Sequence, residues 1–121
     1  MNLPRGTWVV EEIDQATVEV LAASHVPDDL AVELGVDIVG DPQREDDDGY
    51  VWTRLRRARD VRHVVPGSAV IIGSDLGRYL AKVVAWDFEV SNEDPIVTLE
   101  LLPVSVEAME RALKRAHTSA A

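Results

Sequence analysis

From residue 50 to residue 102 the chain alternates short apolar runs with clusters of turn-forming residues. That rhythm commits it to a sheet of short strands. Behind Pro66-Gly67, residues 69–72 (Ala-Val-Ile-Ile) make an apolar run of strand length. Residues 73–77 (Gly-Ser-Asp-Leu-Gly) interrupt it. Residues 78–86 then alternate Tyr79, Ala81, Val83 and Ala85 against Leu80, Lys82, Val84 and Trp86, the period of two that gives a strand two faces. Trp86 falls on the face of Leu80 and Val84, which is therefore the expected core face. Residues 91–95 (Ser-Asn-Glu-Asp-Pro) turn the chain once more, into a run at 96–102. Short connections between such runs predict an antiparallel meander.

Upstream, residues 7–13 and 16–22 read as two strands, with Asp14-Gln15 turning a hairpin between them. Residues 27–34 predict a short helix, because Pro and Asp suit its first turn and Gly35 suits the position just past its end. A short strand is expected at 36–39. Residues 40–49 form a loop with Pro42, two glycines and the run Glu45-Asp46-Asp47-Asp48, which has nothing apolar to bury and is expected to be mobile. Residues 50–58 read as a strand, with Val51, Thr53 and Leu55 on one face and Trp52, Arg54 and Arg56 on the other. The competing reading is a helix over 52–61, since Arg, Leu and Ala are good helix formers.

A helix at 106–116 closes the chain. Ser105 is its N-cap, Glu107 and Glu110 lie toward the positive end of its dipole, and Arg111, Lys114 and Arg115 lie toward the negative end. Val106, Met109, Leu113 and Ala116 share one face. Residues 117–121 are expected to fray. The fold class is mainly β (α+β): a small antiparallel barrel-like or strongly bent sheet of about five or six strands, with one short internal helix and a C-terminal amphipathic helix. A chain of 121 residues is one domain, residues 1–116, with an ordinary core.

The charge is segregated. Residues 1–53 hold Arg5 and Arg44 against eight Asp and five Glu. Residues 54–82 hold six arginines and Lys82 against Asp60 and Asp75, and the remainder is acidic again. The net charge of −10 disfavours nucleic acid and anionic membranes and favours basic protein partners. No apolar run approaches the ~20 residues of a membrane span. Cysteine is absent, which excludes disulfides and thiolate chemistry. With no secretory signal visible, the expected location is cytoplasmic.

Two clusters are candidate sites. Asp46-Asp47-Asp48-Gly49 has the look of a calcium loop, but Arg44 and Leu55 would occupy the first and twelfth positions, where carboxylates are required. No metal or cofactor is expected. Trp52, Arg54, Arg56, Arg57 and Arg59 form a basic stripe with an aromatic stacker, extended by Arg62 and Arg78, the composition of single-strand or phosphate binders. The plainer reading is that these arginines are counter-charges for the acidic loop and other carboxylates, their stems covering apolar surface. Catalytic signals are thin. No serine sits in a Gly-x-Ser-x-Gly elbow, residues 73–77 lack the Lys of a phosphate loop, and His25, His63 and His117 stand apart with no ligand spacing.

The expected function is a non-enzymatic acidic protein-binding module of an adaptor, inhibitor, immunity or nucleic-acid-mimic kind. Its contacts are Asp46, Asp47 and Asp48 and the Trp52/Arg stripe, and its partner is a protein, basic in character, or a second copy of the chain. The alternative is nucleic-acid or phospholigand binding through the stripe at 52–62. A small enzyme with a site assembled from distant residues is the third.

Overall fold

The meander is present and forms the middle of a curled, half-barrel sheet. The computed structural model describes residues 8–119. Strands β4 (Ala69–Ser74), β5 (Gly77–Asp87) and β6 (Ile96–Ser105) pair antiparallel in sequence order. Strand β3 (Tyr50–Arg54) adds antiparallel to β6, and β2 (Ile38–Val39) adds parallel to β4, which gives the order β2-β4-β5-β6-β3. Strand β1 (Val9–Val10) pairs with the far end of β5, at Trp86 and Asp87.

The curl brings the two outer strands together. The Thr53 hydroxyl donates to the Val39 carbonyl at 2.8 Å in the buried interior. Just beyond β3, Ala58 bridges to Ile38, and the Arg59 amide donates to the Asp37 carbonyl at 2.8 Å. Gly40 lies beside the seam, where a Cβ would come within 2.9 Å of the Ile72 side chain and 3.5 Å of Thr53. Inside lie Val51, Ile72, Val83, Val97 and Leu99, all essentially without solvent exposure.

Trp86 is in the core, but not for the reason its alternation implies. Up to Val84 the buried positions of β5 are Ala81 and Val83, while Leu80 and Val84 are only half-buried. The register between β5 and β6 shifts between Val83 and Ala85. A bulge reverses the phase of the strand beyond it. It buries Ala85 and Trp86 together, and the Trp86 indole N–H donates to the Val64 carbonyl at 2.9 Å.

The expected N-terminal hairpin is corrected. Residues 16–22 belong to a helix, α1 (Gln15–Ser24). Asp14, read as a turn residue, is its N-cap, and its carboxylate accepts from the Thr17 amide at 3.1 Å. Only Val18 of the apparent Val18/Val20 strand face is buried, and Val20 is exposed. Leu21 and Ala22, three and four residues on, pack with Val18 against the core. The short helix read at 27–34 is α2 (Asp29–Leu34), so there are two internal helices. Asp28 caps it, and Gly35 ends it in the left-handed conformation at φ 68°.

Helix α3 (Val106–Ser119) starts where expected, with Ser105 Oγ accepting from the Ala108 amide at 3.1 Å, and runs through residues 117–119, where fraying was expected. Residues 1–7, which include Thr7 of the expected first strand and the stretch in which no secretory signal is expected, and residues 120–121 of the expected tail lie outside the described residues.

Thr53→Val keeps the shape of the seam and removes its buried hydrogen bond. The expected cost is about 1 kcal/mol in urea unfolding, and an unchanged midpoint would show that the bond contributes nothing. Thr98→Val, on the outer face opposite Trp52, is expected to stay within about 0.5 kcal/mol of wild type.

Candidate functional site

The arginine segment is neither a strand to residue 58 nor a helix over 52–61. Strand β3 stops at Arg54, and two 3-10 turns follow, Leu55–Arg57 and Val61–His63. Leu55, Ala58, Val61 and Val64 are all buried. Their three-residue spacing matches the three residues per turn of this conformation. They close one end of the half-barrel while the arginines between them point outward in different directions.

Each direction meets a different carboxylate. Asp94, in the β5–β6 connection, accepts from Arg54 Nε at 3.1 Å and from the Arg56 amide at 2.8 Å. Asp28 accepts from Arg57 Nε at 2.8 Å with one oxygen while its other oxygen caps α2. Glu19, on α1, takes a two-pronged contact from Arg62 at 3.0 and 2.8 Å. Arg78 reaches Glu107 at 2.9 Å and Glu110 at 3.5 Å on α3. Counter-charge pairing is thus the fate of four of these arginines, and none of these partners belongs to the 45–48 loop. Arg59 makes no ion pair among the described residues, and Arg56 approaches Asp94 only at 3.9 Å.

What remains open is the outer face of β3. Trp52 is 58% exposed, whereas Val51 and Thr53 on either side are buried. Beside it a cleft of about 390 Å³ is lined by residues that include Asp41, Arg44, Trp52, Arg54, Arg56 and Arg57. Four of the residues read as a stripe, Trp52, Arg54, Arg56 and Arg57, therefore share one depression. Arg59 is not part of it, and Arg44, from the acidic loop, is a member that sequence spacing does not reveal. Gly40 and Thr53, at the seam, also line it.

The acidic loop borders the same face, since it joins β2 to β3. It is built from defined turns. Asp46 is structural: its carboxylate accepts from the Asp48 and Tyr50 amides, each at 2.9 Å, and Gly49 closes the turn at φ 83°. Among the described residues, the side chains of Glu45, Asp47 and Asp48 have no hydrogen-bond or ion-pair partner, and all three are exposed. No three His, Cys, Asp or Glu side chains converge as a metal-ligand set among the described residues. His25 Nε2 lies 2.7 Å from the Ala58 carbonyl, where it donates as an anchor for the α1–α2 connection. No described helix is long and apolar enough to cross a membrane. None of the protein-family models, curated proteins or solved structures compared with the chain matches it.

The hydrogen bond from Arg62 holds Glu19 below its ordinary value of 4.5, and the bond from Arg78 does the same for Glu107. A carboxylate lowered in the folded state contributes stability above its unfolded value and loses it as pH falls through the folded one. Urea midpoints are therefore expected to fall as pH drops below 4.5, and Glu19→Gln is expected to reduce stability at neutral pH and match wild type in acid. Both side chains of the Glu19–Arg62 pair are about half-exposed, so screening keeps the difference small. A wild-type/Glu19→Gln difference that persists undiminished in acid would contradict the pairing.

Proposed function

We propose that this chain is a non-enzymatic protein-binding module that docks its partner on the Trp52 face of β3. The observation that carries the reading is a half-exposed tryptophan at the edge of an arginine-lined cleft, with an acidic loop on the connection leading into it. Tryptophan and arginine are the side chains in which binding energy concentrates at protein interfaces. A large apolar ring held in water on a rigid strand gains most from being covered.

The charge around Trp52 favours a protein over a polyanion. Of the cleft arginines, Arg54 and Arg57 are already bonded to Asp94 and Asp28. Arg44 and Arg56 retain high exposure, at 86% and 73% of their side chains. Glu45, Asp47 and Asp48 repel phosphates from the same approach, and the whole chain carries −10. A partner with an apolar pocket flanked by basic residues satisfies Trp52 and the loop together. Such complementarity mainly raises the association rate and fixes orientation.

The test is a pull-down from host lysate with wild type and Trp52→Ala, each with and without nuclease, followed by titration of the recovered partner. The expected outcome is a nuclease-resistant protein whose affinity for Trp52→Ala falls by about 2 kcal/mol or more, roughly 30-fold. A partner held equally well by Trp52→Ala would contradict the proposal. Recovery of nucleic acid that Arg44→Glu and Arg56→Glu release would replace it with polyanion binding.

A further inference from the structure

Helix α3 is anchored through its first turns. Val106 is buried, and Arg78 holds Glu107 and Glu110 from β5. Every side chain from Glu110 to Arg115 is exposed, including Leu113 at 58%. Yet the sequence of this helix is that of a packed one. Val106, Met109 and Leu113 are spaced three and four apart and Ala116 continues the series, which is the a/d repeat of a helix seam. The body of the protein buries Val106 and half-buries Met109, and leaves Leu113 exposed.

The charge along α3 says what covers the rest. The acids Glu107 and Glu110 occupy its first half, and Arg111, Lys114 and Arg115 its second. We infer that α3 pairs with α3 of a second copy of this chain, antiparallel and across a two-fold axis near Arg111. This arrangement sets Met109 of one copy beside Leu113 of the other. It opposes Glu107 and Glu110 to the basic half of the second helix on both sides of the axis. A parallel pair would set acid beside acid and base beside base. Two-fold pairing of identical surfaces is also the commonest closed assembly. The surface is separate from the Trp52 cleft, so the inference stands independently of the proposed function and makes the module bivalent.

The chain has no cysteine, so introduced ones report cleanly. Light scattering across a concentration series is expected to show twice the 13.3 kDa chain mass at high concentration, and Leu113→Glu is expected to return the single-chain mass. Leu113 is exposed, so this change does not disturb the core, and equal urea midpoints at a concentration where both proteins are single chains verify that. Mixed Met109→Cys and Leu113→Cys proteins are then oxidised. The expected product is the mixed disulfide. Antiparallel pairing separates like positions by about four residues, roughly 6 Å of axial rise, beyond easy bridging. A single-chain mass at every concentration overturns the inference. So does a dimer indifferent to Leu113→Glu, or a predominance of like-with-like disulfides.

Discussion

The structure depends on one seam. Where β3 meets β2, Thr53 bonds to the Val39 carbonyl, Ala58 bridges to Ile38, and Arg59 bonds to Asp37. The seam decides where β3 stops, because a strand continuing past Arg54 would leave the curled edge instead of crossing the barrel end. It also decides what residues 55–64 do. They turn inward every third residue and plug that end with Leu55, Ala58, Val61 and Val64. The arginines between these plugs are then directed to three separate places on the body, and Trp52, one residue before Thr53, is left outside.

The ion pairs that result orient more than they stabilise. Partly exposed pairs of this kind contribute about 0–1 kcal/mol each. Their value lies in what they join. Asp28 ties the start of α2 to Arg57, Asp94 ties the β5–β6 connection to the end of β3, and Glu19 ties α1 to the second 3-10 turn. The Ala58 carbonyl sits at the centre of these ties, receiving the Asp28 amide and His25 Nε2. The basic segment is thus largely an internal counter-charge, and the surface that remains is acidic, with the exposed Trp52 and Leu113 among its apolar features.

The β-meander, α2 with its Gly35 stop, and the Ser105 cap of α3 were legible because each rests on local chemistry. Helix α1 is not legible as a helix, because Asp14 serves turns and helix caps equally and the choice rests on Val18 reaching a core that local sequence does not display. Trp86 was placed in the core on the wrong face, since a bulge leaves no sign in a period-two pattern. The 3-10 plug did have a signal, the spacing of Leu55, Ala58, Val61 and Val64, hidden among helix- and strand-compatible residues. At the site, alternation with arginines makes Trp52 a candidate for exposure without deciding between surface and core, and Arg54, Arg56 and Arg57 follow as its neighbours from proximity in sequence. Arg44 did not, because only the curl of the sheet brings it there. Nor did Asp46's structural role, which depends on the path of the turn.

Arg54, Arg57, Arg62 and Arg78 are committed to carboxylates of the protein itself. Nitrogen-15 spectra of the arginine Nε–H groups test this most directly. Arg54, Arg57, Arg62 and Arg78 each donate Nε–H to a carboxylate at 2.8–3.1 Å, so their signals are expected to be resolved, slow to exchange with water and unmoved by an added polyanion. Arg56 and Arg59, which lack such bonds among the described residues, are expected to exchange fast. Fast exchange at all six, or shifts of Arg57 and Arg62 on titration with a polyanion, would show that the basic segment is free to bind and would contradict the account.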